Sequence, residues 1–292
     1  MIKENKIAIV SIAKNIELSF SQDFDIVMHS FADFNILKWV IVESNSTDES
    51  PEVLHKYSSE HSFVHFKTIV DKNPERPRTF HLASARNECL DILKESNILD
   101  EVHYVVVFDL NNLNKSLTRE SVKSCFQRLD WGVVTANQDG PYYDIFALRH
   151  QYWNNVDCWQ MYKYMLILHP KRFKFIWDAA LWNAVYSKMI KIDKKSDWIQ
   201  VDSAFGGIAI YKSNFIRDAR YVGLTENGLE VCEHVSLNKS ISQKGGKVFI
   251  NPKFVNFKLT DHSRRRRYFV YYNTKYYMVG YVRKLIDRVK LW

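Results

Sequence analysis

The chain has 292 residues, 46% of them hydrophobic and 14% aromatic, and a formal charge of +8 from 41 Lys/Arg against 33 Asp/Glu. This apolar content excludes a disordered chain, and the length lies near the upper limit for one core, so one elaborate domain, or one domain with a tail, is expected. The excess charge sits in residues 262–292, where nine Lys/Arg face a single acid, Asp287; residues 1–261 carry no net charge and lack the global signature of a nucleic-acid binder.

Ile7-Ala-Ile-Val-Ser-Ile12 reads as the first strand and gives way to a polar turn at Lys14-Asn15. Leu18, Phe24, Val27, Phe31 and Phe34 then recur at helical spacing, and Leu37 to Val42 forms the next strand, closed by the polar run Glu43 to Ser50. Phe63–Val70 is a third strand. Beyond a loop with two prolines and two arginines, Leu82, Ala85, Cys89 and Leu93 define one helical face. Tyr104-Val-Val-Val-Phe108 is an apolar strand that ends abruptly in Asp109 and Asn111. Thr118 is placed to cap a helix whose apolar face is Val122, Cys125, Phe126 and Leu129. This alternation of strand and helix predicts a largely parallel, helix-covered sheet.

Past Gly132 the pattern is less regular. Gly132–Ala136 and Tyr143–Leu148 read as strands, and residues 150–197 as an aromatic-rich insertion of helices and loops suited to an acceptor site. Ile208–Tyr211 is a further strand, 229–244 a helix, and Val248–Ile250 a late strand ending at Pro252. Cys89, Cys125, Cys158 and Cys232 are too scattered for a zinc site or a disulfide framework, which predicts reduced thiols in the cytosol. The N-terminal residues hold no apolar leader, and no apolar run reaches about eighteen residues, so neither a signal peptide nor a membrane span is expected.

Four strand ends carry concentrated polar side chains: Ser11 with Asn15, Glu43 to Asp48, Asp109 with Asn111, and Asp144. In open α/β sheets ligands bind at such carboxyl ends. Asp109 and Asn111, two residues apart on an extended backbone, would point to one side and hold Mn²⁺ or Mg²⁺ against a diphosphate. Arg86 lies on an apolar helix, where an unpartnered guanidinium is costly, so it should face either Asp109 or an anionic ligand. Cys232-Glu-His234 opens the late helix; Glu233 and His234 there can serve as a general base or a metal ligand, or Glu233 can simply complement the helix dipole. No GxGxxG, P-loop, HExxH or GxSxG occurs, which argues against dinucleotide oxidoreductases, P-loop kinases, zincins and α/β-hydrolases.

In order, Val42-Glu-Ser-Asn-Ser-Thr-Asp48, Ala85-Arg-Asn87, Val105-Val-Val-Phe-Asp-Leu-Asn111 and Glu230-Val-Cys-Glu-His-Val-Ser-Leu237 resemble the segments of a GT-A-fold glycosyltransferase over roughly residues 6–255. Tyr143–Arg149 and Val201–Tyr211 are similar to the group of fungal capsule-associated mannosyltransferases and their bacterial relatives. The resemblance implies a Rossmann-like α/β fold with a mixed, mostly parallel sheet. It also implies a nucleotide-sugar donor held by Ser11, Glu43, Ser44, Asn45, Arg86 and Asp109, and a divalent metal on Asp109 and Asn111. Asn111 replaces the second acid of the DxD motif, and His234 stands where inverting relatives carry an aspartate. Glu233 is then the base of an inverting enzyme, or His234 a third metal ligand of a retaining one. Asp144 joins Glu233 and His234 as a catalytic candidate.

The domain expectation is therefore a catalytic unit over 1–261, with 150–197 as its acceptor-side insertion, followed by a basic tail over 262–292. In that tail Met278, Tyr281, Val282, Leu285, Val289 and Trp292 form an apolar stripe beside basic residues, which suits an anionic membrane surface; a helix packed on the domain is the competing arrangement, and nucleic-acid binding a third. The expected protein is a cytoplasmic enzyme, peripheral to the inner face of the membrane, that transfers a hexose to a surface glycan or glycolipid acceptor and does not bind nucleic acid. A nucleic-acid-binding or scaffold protein with a degenerate catalytic domain, or a sugar nucleotidyltransferase, are the alternatives.

Overall fold

The computed structural model describes residues 5–70, 73–168, 174–260, 263–266 and 269, so the apolar stripe from Met278 to Trp292 lies outside the described residues. In chain order the elements are β1 (Lys6–Ala13), α1 (Phe20–Ser30), β2 (Asn35–Ser44), α2 (Ser50–Glu60), β3 (Val64–Ile69), α3 (Arg78–Glu95), α4 (Ile98–Glu101), β4 (Tyr104–Phe108), α5 (Arg119–Ser124), β5 (Val133–Gln138), α6 (Cys158–Leu168), α7 (Lys174–Ala184), β6 (Ile199–Val201), β7 (Ile208–Lys212), α8 (Ser213–Ile216), α9 (Glu233–Gln243) and β8 (Val248–Phe257).

The strands form one mixed sheet in the order β3-β2-β1-β4-β7-β5-β8-β6. β3, β2, β1 and β4 run parallel to their neighbours, as does β5 to β8, whereas β7 is antiparallel to both β4 and β5, and β6 to β8. Strand residues alternate between two cores, as the period of two demands. Ala8, Val10, Val40, Val42, Val105 and Val107 face the layer of α3 and α9. Ile7, Ile9, Trp39, Ile41, Val106 and Phe108 face the layer of α1, α2 and α5. Burial on both faces is why these strands read as unbroken apolar runs.

Several expectations are corrected. Leu18 is 95% exposed, because α1 begins only at Phe20. Ser50, read as the end of a polar turn, begins a helix to Glu60 that buries only Ser50 and Leu54, too little apolar surface to leave a periodic signal. Thr118 does cap α5, in a reciprocal box with Ser121, but α5 stops at Ser124 and leaves Leu129 exposed. Tyr143–Leu148 is no strand; the Asp144 carboxylate accepts from the Ala147 amide and turns the chain. The late strand runs through Pro252 to Phe257. It can do so because β6 pairs only with Val248–Ile250, and the register with β5 shifts between Thr135 and Asn137, so the missing proline N–H costs no ladder bond. All four thiols are buried and unpaired. No helix among the described residues is long and apolar enough to cross a membrane.

Candidate active site

The site grows from one helix and two chain reversals. α3 runs under β1 and β2, and its Ala85-Arg86-Asn87 segment divides three tasks. Ala85 packs in the core. Asn87 clamps the segment before α9, accepting from the Tyr221 amide and donating to the Tyr221 carbonyl, both at 2.9 Å. Two residues on, Gly223 lies so close to the first turn of α3 that a Cβ there would sit 2.0 Å from the Thr79 carbonyl oxygen. Gly223→Ala must therefore push α3 and the 221–223 segment apart; a loss of about 1–3 kcal/mol in chemical denaturation is expected.

Arg86 is 5% exposed and holds two carboxylates at once: Nη2 donates to Asp109 Oδ1 at 2.8 Å and Nε to Glu233 Oε1 at 3.1 Å. Burial alone would disfavour its charge, but Asp109 and Glu233 outweigh that and raise its pKa. The guanidinium also lies 5.2 Å from the Phe205 ring and 5.8 Å from the Tyr221 ring. His234 stacks on Phe205 with centroids 3.7 Å apart and meets Tyr221 edge-on. Burial and the charge of Arg86 hold its pKa well below the usual imidazole value, so the ring is neutral at physiological pH. Neither ring nitrogen has a hydrogen-bond partner, and neither do the hydroxyls of Tyr142, Tyr211 and Tyr221.

Asp109 is fixed by backbone bonds. Its amide donates to Gly207 O at 2.9 Å, and Asn114 Nδ2 donates to its carbonyl at 2.7 Å. Asn256, delivered by the extension of β8 beyond Pro252, donates to Asn114 Oδ1 and to Gly206 O, while Gln138 Nε2 donates to Gly206 O and Asn256 Oδ1. Gly206 in turn donates its amide to Asp144 Oδ2 at 2.9 Å. Sequence reasoning missed Asn114, Gln138, Asn256, Phe205 and Tyr221; the positive φ of Gly206 and Gly207, 78° and 94°, follows from a glycine pair whose sequence signal was visible. Burial pushes the Asp144 carboxyl up to about 6, helped by the nearby Asp109 and Glu233 charges and opposed by the Gly206 and Ala147 amides.

The expected metal set is not assembled. Asn111 departs from an extended strand, with φ 75°, and its side chain turns to Ser19, whose Oγ donates to Asn111 Oδ1 at 3.3 Å. The Asp23 carboxylate accepts from the amides of Asn111 and Asn112 and fixes this left-handed turn. His234 stacks on Phe205 with neither ring nitrogen partnered, and no group of three His, Cys, Asp or Glu side chains able to hold a metal occurs among the described residues. Among the expected ligands, Asp109 offers a charged oxygen to a divalent ion, its carboxylate being 22% exposed.

On the donor side, Ser11 is corrected: it is 1% exposed, and its hydroxyl accepts from the Trp39 indole at 3.1 Å within the core. Glu43 is equally buried and accepts from the Ser46 amide at 2.8 Å, so it shapes the turn from beneath. Asn15 ties the β1 and β2 loops together, accepting from the Thr47 amide at 2.8 Å and donating its own amide to Ser46 Oγ at 3.0 Å. Ser44 and Asn45 line a cleft of about 200 Å³ at the carboxyl ends of β2 and β3, walled by Ile69, Phe80, His81 and Ser84. α3 thus carries both a cleft wall and, two residues after Ser84, the Arg86 node.

Burial also pushes the Asp23 carboxyl up to about 6, although the amides of Asn112 and Asn111 pull the other way. From an ordinary value of 3.8, a raised folded pKa means that the folded state holds the proton more tightly. The resulting stabilisation is complete below about pH 4 and lost as pH rises through about 6. Asp23→Asn should therefore flatten the fall in unfolding free energy between pH 4 and 6, removing a slope of up to about 1.4 kcal/mol per pH unit. Urea titrations at each pH measure it; an unchanged slope would show that Asp23 ionises normally.

No protein-family model matches the chain, and no curated protein matches it in sequence. Among solved structures it is similar to residues 1–349 of S. aureus TarS, at TM-score 0.44 and 12% identity over 87% of this chain and 60% of that one. The same TarS fragment in complex with UDP-GlcNAc gives 0.43 and 13%, over 89% and 60%. The mannosyltransferase PcManGT from Pyrobaculum calidifontis, in complex with GDP-Man and Mn²⁺, gives 0.44 and 14%, over 87% and 57%. The chain thus spans about 60% of the length of these solved chains, and 37% of a longer S. aureus TarS chain.

Proposed function

We propose that the chain is a GT-A-type glycosyltransferase that moves a hexose from a nucleotide-diphosphate sugar to a hydroxyl of a surface glycan or lipid-linked oligosaccharide. The observation that carries this reading is the convergence at one sheet edge of the Arg86–Asp109–Glu233 node, the half-buried Asp144 and the cleft at Ser44 and Asn45. The cleft would take the nucleoside, with Phe80 and His81 beside the base and Ser44 and Asn45 hydrogen-bonding to it. Asp109 would hold a divalent ion entering with the donor, which supplies charge neutralisation at the diphosphate.

Arg86 is buried and engaged on both sides, so it is a positioning residue that sets the Asp109 and Glu233 carboxylates. Asp144 is the better base. Glu233 is locked to a guanidinium, whereas a carboxyl with a pKa near 6 is ionised at pH 7 and still basic enough to take a proton. The acceptor oxygen attacks the anomeric carbon, the bond from that carbon to the diphosphate oxygen breaks, and the acceptor proton passes to Asp144. Residues 262–292 would keep the enzyme at an anionic membrane on its cytoplasmic side. The test is incubation with a panel of nucleoside-diphosphate hexoses and Mn²⁺, reading release of nucleoside diphosphate. At least one donor should turn over, and folded protein that processes none would overturn the proposal.

A further inference from the structure

The insertion presents a face that donor chemistry does not use. Along α6, Trp159, Lys163, Tyr164, Ile167 and Leu168 are exposed and fall on one side of the helix, while Cys158 is buried on the other. Ile167 is 76% and Leu168 56% exposed, and Trp177 of α7, which packs against α6, is exposed as well. Large apolar side chains clustered on one helix face mark an interaction surface.

The surrounding charge identifies the partner. The exposed face of α6 carries Lys163 and no acid; Lys163, 65% exposed, pairs with Glu230 outside the helix at 3.8 Å. The chain after β8 returns to this arm. Arg266 donates from Nε to the Tyr186 carbonyl at 3.0 Å and lies over Trp182 of α7, on which Phe269 also stacks. Arg264 and Arg265, just before Arg266, are exposed, and Arg265 acts electrostatically on Tyr186, which follows α7. Aromatic rings alone would suit a sugar, but exposed Ile and Leu do not stack on sugars. Trp and Tyr beside aliphatic side chains, flanked by cations, match the interface of an anionic bilayer, where aromatic rings sit at headgroup level and cations meet lipid phosphate.

We infer that the exposed face of α6 is a lipid-docking surface that lies on an anionic membrane with Ile167 and Leu168 inserted between headgroups. It shares its partner, and the cations Arg264 and Arg265, with the proposed role of residues 262–292 but adds the apolar face of α6, and it would place the acceptor-side insertion at the membrane where a lipid-linked acceptor is presented. The experiment is co-sedimentation of the full chain with vesicles of phosphatidylcholine alone or mixed with phosphatidylglycerol. The full-length variants Ile167→Glu/Leu168→Glu and Arg264→Gln/Arg265→Gln are run alongside, with folding checked by circular dichroism. Binding to the anionic vesicles should fall at least tenfold in the α6 variant. If that variant binds like wild type while the arginine variant does not, the α6 inference fails and the tail reading stands. Loss in the α6 variant, with or without loss in the arginine variant, supports this inference. No vesicle binding by wild type, or a wild-type dimer that the α6 variant converts to monomer, would overturn it, the latter in favour of a second copy of the chain.

Discussion

Arg86→Ala is expected to cost about 3–5 kcal/mol of unfolding free energy, because it leaves the Asp109 and Glu233 carboxylates close together, partly or wholly buried, with no counter-charge. Against a typical total of about 5–15 kcal/mol this is roughly a fifth or more of the stability of a domain. Arg86→Lys should recover only part of it. A single ammonium cannot reproduce two N–H bonds at fixed spacing to two carboxylates, nor the planar contact with Phe205 and Tyr221. Urea denaturation at pH 7 measures both. If Arg86→Ala costs less than about 1 kcal/mol, the node does not organise the edge.

Asp144→Asn should lower the transfer rate by about 10²–10⁴-fold, the usual worth of a positioned general base, with donor affinity nearly unchanged. Asparagine keeps an oxygen for only one of the Gly206 and Ala147 amides, so folding of the variant is checked by circular dichroism, while the proton acceptor is lost. In the wild type the base works ionised, so the rate should climb with pH through about 6 and level off above it. The residual activity of the variant should not show that limb. Glu233→Gln is the control: a larger rate loss there than in Asp144→Asn, with the protein folded, would move the base to Glu233. An Asp144→Asn enzyme that keeps more than a tenth of its rate would remove Asp144 from the chemistry.

The parts of this fold that could be read from sequence are those whose signals are local. β1, β2 and β4 announce themselves as β-branched runs because both sheet faces are buried. Thr118 caps α5 through a hydroxyl–amide bond three residues away. The demand that Arg86 find a carboxylate follows from its place on an apolar helix; the structure gives it Asp109 and also Glu233, a second partner that spacing along the chain could not fix. What escaped reading is non-local or conformational. Asn111 does not continue the extended strand of Asp109 because the chain turns left-handed there, a choice imposed by Asp23 from 88 residues away. Ser11 fails as a donor-site residue because Trp39 on the adjacent strand takes its hydroxyl. Tyr143–Leu148 has a strand's composition, but Asp144 turns the chain through two backbone amides. The lattice of Asn114, Gln138 and Asn256 that fixes Asp109 draws on three separate stretches of chain.

The most direct test of the assignment is calorimetric titration of wild type and Asp109→Ala with nucleoside-diphosphate hexoses in the presence of Mn²⁺. Wild type should bind at least one donor saturably, with a Kd on the order of micromolar to millimolar, and Asp109→Ala should bind it at least tenfold more weakly while remaining folded. Folded wild type that binds no donor, or an Asp109→Ala variant that binds as tightly as wild type, would contradict a donor site at the end of β4.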